Sequence, residues 1–110
     1  MFNTRVIQDQ DCIDFTDNDI ATIGNFPLNP RLRTLLLARN RVARIEPNVA
    51  QSIPNISTLV LAQNNVGQLA DLDPLAGFKK LTHLVLIDNP VTSKEVGHIH
   101  SRLYGSVMRT

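Results

Sequence analysis

Cysteine is almost missing. Cys12 is the only one in 110 residues, so no disulfide can close within the chain, as suits a reducing compartment. Long apolar runs are missing too: stretches such as Leu35-Leu36-Leu37-Ala38 fall far short of the roughly 20 residues a bilayer-spanning helix needs. Met1 to Asp9 holds one arginine and no apolar stretch, which does not read as a secretory signal and places the chain inside the cell. Charge of one sign is also lacking. A net charge of +1 gives no bulk reason to seek nucleic acid, a membrane or an acidic substrate.

The chemistry of catalysis is equally sparse. No glycine-rich loop cradles a phosphate, and no acid/base pair stands out. Cys12, His83, His98 and His100 are the conventional nucleophile or metal-ligand candidates. His98 and His100 are one residue apart, but no second pair of ligands accompanies them at a metal-site spacing. The expectation is a chain without enzyme activity, metal or cofactor.

What is present is a repeat. Asparagines recur at Asn18, Asn40, Asn64 and Asn89, at spacings of 22, 24 and 25 residues. Around each runs the frame leucine-x-x-leucine-x-leucine-x-x-asparagine-x-leucine. The second unit fills it with Leu32, Leu35, Leu37, Asn40 and Val42, the third with Ile56, Leu59, Leu61, Asn64 and Val66, and the fourth with Leu81, Leu84, Leu86, Asn89 and Val91. The first unit has Ile13, Phe15, Asn18 and Ile20, with Gln10 where the opening leucine belongs. This pattern predicts a leucine-rich repeat solenoid of the α/β class. It would be a short right-handed superhelix with a concave parallel β-sheet and helical or 3₁₀ returns on the convex side.

Apolar residues at the fourth and sixth positions of each unit alternate as in a strand, so they should point inward. The asparagines should form a ladder whose amides satisfy backbone groups trapped at the turns. After each asparagine a second apolar set follows at steps of three and four: Ile20, Ile23 and Phe26; Val42, Ile45, Val49 and Ile53; Val66, Leu69, Leu72, Leu75 and Phe78. These spacings suggest short helical turns, interrupted by Pro27, Pro30, Pro47, Pro54 and Pro74. Asp73 ahead of Pro74 is a candidate start of one such turn.

Function should reside on the strand positions that point away from the core. The third-position column reads Cys12, Thr34, Thr58, His83; the fifth, Asp14, Leu36, Val60, Val85; the seventh, Thr16, Ala38, Ala62, Ile87. From the second unit onward the last two columns are wholly apolar. A contiguous apolar patch of this kind resembles half of a protein interface, which is favoured over a face covered by the chain's own ends, and the small Ala38 and Ala62 leave a groove that an amphipathic helix can enter. Hiding about 400 Å² there would yield on the order of 10 kcal/mol before the costs of association. Nucleic acid does not suit such a floor, since phosphates seek cations and bases seek aromatic platforms. Arg31, Arg33, Arg39, Arg41 and Arg44, with Lys79 and Lys80, fall at edges and turns. They read as a solvated rim, with contact to RNA brought by a partner as the sharper alternative. The candidate partner-binding residues are Asp14, Thr16, Leu36, Ala38, Arg39, Val60, Ala62, His83, Val85 and Ile87.

Several stretches are more discriminating than the repeat. DQDCIDFTDN (9–18), FPL (26–28), LRTLLL (32–37), LDPLA (72–76) and NPVTSK (89–94) closely resemble the A-prime family of the U2 small nuclear ribonucleoprotein, its fungal members above all. The resemblance covers about residues 6 to 95. It implies a nuclear splicing component whose concave sheet grips a helix of an RNA-recognition-motif protein, the B-double-prime subunit. It implies that U2 small nuclear RNA is bound mainly through that partner. Another intracellular repeat adaptor, such as a phosphatase or cytoskeletal regulator, is the alternative that the repeat alone allows. Both ends depart from the family: residues 1–8 read as a remnant lead-in, 9–95 as the repeat domain and 96–110 as a poorly ordered tail outside the family pattern. The abrupt loss of pattern at Val96 points to an unspliced intron, a frameshift or a misdrawn gene model.

Overall fold

A strand with leucines on alternate positions cannot bury them alone, so successive units must stack. The computed structural model describes residues 10–93. The lead-in 1–8, the tail 96–110 with His98 and His100, and the outermost residues of the 9–95 span lie outside them. Six strands follow in chain order: β1 (Cys12–Asp14), β2 (Thr22–Ile23), β3 (Thr34–Leu36), β4 (Arg44–Ile45), β5 (Thr58–Val60) and β6 (His83–Val85). β1, β3, β5 and β6 form one parallel sheet in that order. Its register aligns the repeat position by position: Ile13, Leu35, Leu59 and Leu84 share one row, and Asp14, Leu36, Val60 and Val85 the next. Pairing runs on beyond the short strands, since Leu37 N–H donates to Val60 O (2.9 Å) and Leu61 N–H to Val85 O (2.8 Å).

The row of Ile13, Leu35, Leu59 and Leu84 is buried, and so are Leu37, Leu61 and Leu86. They pack against the apolar residues of the returns, among them Ile23, Ile45, Val49, Ile53, Leu72, Leu75 and Phe78. The chain is thus a two-layer sandwich of strand and return, with the core between.

The returns differ from one another. In the second, α1 (Val49–Ser52) is a single helical turn. In the third, a 3₁₀ helix runs over Leu69–Gly77. It begins well before Asp73, the start read from the sequence, because Gln68 and Asp71 close a local pair. Gln68 N–H donates to Asp71 Oδ2, and Asp71 N–H donates to Gln68 O, both at 3.1 Å. Pro74 therefore sits inside the helix. The first return holds no helix. The β-branched Thr22 and Ile23 extend into β2, which pairs in parallel with β4 as a second ribbon. Pro27 and Pro30 follow within a 22-residue unit, leaving little room for a helical turn. Among the described residues, no helix is long and apolar enough to cross a membrane.

The concave face as a candidate protein-binding site

The outward columns stand beside one another on the sheet. Cys12, Thr34, Thr58 and His83 are aligned by the strand register, as are Asp14, Leu36, Val60 and Val85. Leu36, Val60 and Val85 are half-buried on the open face, while their chain neighbours Leu35, Leu59 and Leu84 are at most 1% exposed. Ala38 and Ala62 are half-buried in the seventh column, and Ile87 closes it with 62% of its surface exposed. Such exposure for a large aliphatic residue is unusual beside other apolar residues. At the first unit the face changes character. Asp14 is exposed, Thr16 is half-buried, and the Thr16 N–H donates to Asp14 Oδ1 at 2.9 Å. Hydrogen bonding from the Thr16 hydroxyl, then from its backbone N–H, holds the Asp14 carboxyl below the usual carboxylate range.

The strands end at a sharp turn in the eighth position. Asp17, Arg39, Gln63 and Asp88 all have φ between 56° and 64°, the left-handed region that side chains other than glycine enter at a cost. That turn lets their N–H groups keep pairing with the next unit, as from Arg39 to Ala62 O (2.9 Å). It also brings Asp17 and Arg39 together at the rim. Arg39 donates through Nε to Asp17 Oδ1 and through Nη2 to Asp17 Oδ2, the latter at 2.7 Å. The pair holds Asp17 below its ordinary value and raises Arg39 above its own. Sequence reasoning placed Arg39 on the rim but missed Asp17. Opposite charges in the same position of consecutive units were the available signal.

Behind the turn lies the asparagine ladder. Asn40, Asn64 and Asn89 are buried. Each Oδ1 accepts the N–H two residues past the preceding unit's asparagine: Ile20 (3.1 Å), Val42 (2.9 Å) and Val66 (3.0 Å). Each Nδ2 reaches back to the carbonyl of the preceding unit's sixth position, at Phe15 (2.9 Å), Leu37 (2.9 Å) and Leu61 (2.7 Å). Asn18 differs. It is exposed, and its amide donates only within its own unit, to Phe15 O and Thr16 O. Among the described residues Asn18 is therefore the first asparagine of the ladder, and it is exposed where Asn40, Asn64 and Asn89 are buried.

The sequence of this face and frame is shared. A profile of the leucine-rich repeat family matches residues 3–104. The chain belongs to the leucine-rich repeat family. Within that family it is 63% identical, over 84% of its length, to the U2 small nuclear ribonucleoprotein A′ of Aspergillus fumigatus, covering 37% of that relative. It is 50% identical over 93% of its length to the Schizosaccharomyces pombe protein of the same name (41% of that relative covered). For the Homo sapiens protein the identity is 47% over 86% of the chain and 35% of the relative. The chain therefore spans little more than a third of the length of the curated relatives it matches. Among solved structures it is similar to a chain of the Drosophila melanogaster SNF/U2A′ complex, with a TM-score of 0.88 and 36% identity. The match covers 96% of this chain and 62% of that one. The resemblance to the U2 A-prime family carried by DQDCIDFTDN, LDPLA and NPVTSK is upheld by these relatives.

The basic residues of this leucine-rich repeat chain are partly neutralised. Arg31 pairs with Asp11 at 3.5 Å and Arg44 with Glu46 at 3.8 Å, alongside the Arg39–Asp17 pair. Arg33 and Arg41 are exposed and have no acidic partner among the described residues. His83 is exposed on the face, its Nδ1 3.0 Å from Thr82 Oγ1. Cys12 is exposed at the other end of the third column, three strands away. Among the described residues no three His, Cys, Asp or Glu side chains are grouped to hold a metal ion.

Proposed function

We propose that this chain is a non-enzymatic scaffold of the U2 small nuclear ribonucleoprotein, acting in pre-mRNA splicing in the nucleus. Its concave face grips a helix of an RNA-recognition-motif protein and supports binding of U2 small nuclear RNA through that partner. One observation carries the reading: Leu36, Val60 and Val85 form an outward apolar row, flanked by Ala38, Ala62 and Ile87, on a sheet whose core is already complete behind it. Among the described residues the core is complete without that row, which fits a surface kept apolar for a partner. The small alanines deepen the trough for a helix. Support comes also from the relatives named as U2 A′ proteins and from the solved pairing of such a protein with SNF. Arg33 and Arg41, without an acidic partner among the described residues, are positioned to add phosphate contacts once RNA arrives on the partner.

The test is to measure RNA binding with and without the partner. A U2 stem-loop should bind negligibly to the chain alone and bind in a salt-sensitive way once the RNA-recognition-motif protein encoded in the same genome is added. Mass spectrometry of proteins copurifying with the chain should recover that protein. Strong partner-free RNA binding, or purification of the chain without any such protein, would refute the reading.

A further inference from the structure

The concave face is not uniform, and its asymmetry constrains what can lie on it. Asp14 occupies the same row as Leu36, Val60 and Val85, yet it is an exposed carboxylate. Its nearest acids are already engaged: Asp11 by Arg31 and Asp17 by Arg39. Asp14 itself has no basic partner among the described residues. Its hydrogen bonds there come from Thr16, whose N–H donates at 2.9 Å and whose hydroxyl also lowers its pKa, and neither brings a positive charge. A helix laid across the strands would cover it. Burying a charged carboxylate without a partner is costly, whereas a cation placed over it removes that cost.

We infer, resting on the helix-docking reading above, that Asp14 selects and orients the docked helix by requiring a Lys or Arg at one end of that helix's apolar stripe. Strands lie about 4.8 Å apart and a helix rises about 5.4 Å per turn, so a crossing helix places about one residue over each strand. With the cation at position i over Asp14, apolar residues follow near i+4 over Leu36, i+7 over Val60 and i+11 over Val85. The reversed helix would set an apolar side chain on Asp14 and leave its cation over the Val85 and Ile87 end. A purely apolar helix would desolvate Asp14 with nothing in return.

The experiment uses the full chain and the RNA-recognition-motif protein encoded in the same genome, titrated by calorimetry at low and high salt. Asp14→Asn keeps the acceptor for the Thr16 N–H and should weaken binding roughly tenfold; Asp14→Lys should weaken it about a hundredfold. Circular dichroism should be unchanged in both, since Asp14 is exposed. Reversing the Lys and Arg residues of the docked helix to Glu one at a time should reveal one that restores binding to the Asp14→Lys chain. If the unmodified chain binds but Asp14→Asn and Asp14→Lys bind within twofold of it, Asp14 is only a guard on the sheet edge, and the inference fails while the helix-docking reading stands. If the unmodified chain does not bind at all, the docking reading falls and this inference with it.

Discussion

Replacing Asn64 with alanine removes three hydrogen bonds from the middle of the ladder. Two of the atoms left behind retain other donors: Leu37 O still accepts from Asn40 Nδ2 at 3.0 Å, and Ala62 O from the Arg39 N–H at 2.9 Å. The Val42 N–H does not. Asn64 Oδ1 is its acceptor, at 2.9 Å, on a residue with no exposed surface. An orphaned buried N–H costs about 1–3 kcal/mol, and each lost bond with a surviving alternative costs about a further 0.5–1 kcal/mol. The expected loss is about 2–5 kcal/mol, enough to lower the melting temperature by roughly 10–40 °C in a domain of this size. Asn18→Ala is the internal control. Its residue is exposed, and among the described residues its amide bonds only Phe15 O and Thr16 O, so its loss should stay below about 1 kcal/mol. Urea unfolding followed by circular dichroism measures both. Equal losses at the two positions would refute the argument that burial, and not the repeat motif as such, sets the value of each asparagine.

Four further outcomes follow from the same geometry. Gly24→Ala should destabilise the domain by about 1–2 kcal/mol in the same unfolding assay, because a methyl group there would lie within 3.0 Å of Glu46 Cβ and closer still to its Cγ. Carboxyl titration by NMR should find both Asp14 and Asp17 below the ordinary value of 3.8. Arg39→Gln should return Asp17 towards that value and leave Asp14 nearly unmoved. Since both folded-state values are depressed, their contribution to stability is fully present above pH 3.8 and is lost as pH falls below it. Unfolding curves at pH 6 and pH 3 should show that loss, and a gain on acidification would contradict the assignment.

The repeat frame was legible because two periods coincide in it. Leucines at the fourth and sixth positions carry the strand period, and the asparagines mark the turn, so the rows Ile13–Leu84 and Asp14–Val85 follow from spacing alone. The outward row could be written down for the same reason. The returns were less legible because apolar steps of three and four suit both a helical turn and a stretched segment. Thr22 and Ile23 took the extended choice, driven by β-branching and by parallel pairing with Arg44 and Ile45, which no local pattern announces. Asn29 was invisible for another reason. It has no counterpart in the repeat, yet it is fully buried, accepting the Arg31 N–H at 3.0 Å and donating to Gln10 O at 3.2 Å. A single buried polar residue that ties loops together leaves no periodic trace. The Asp17–Arg39 pair needed the left-handed turns to bring it together, and those turns lack the glycine that would have signalled them.

Two neighbouring substitutions test the face most directly. Leu59 is 1% exposed in the core, and a carboxyl group forced in there costs several kcal/mol on top of the lost leucine packing, a large share of the roughly 5–15 kcal/mol that holds a domain together. Val60 faces out. Titrating the RNA-recognition-motif protein into each variant, with circular dichroism alongside, should show Leu59→Asp unfolded and Val60→Asp folded but unable to bind. A folded Leu59→Asp chain, or a Val60→Asp chain that binds as tightly as the parent, would contradict the account.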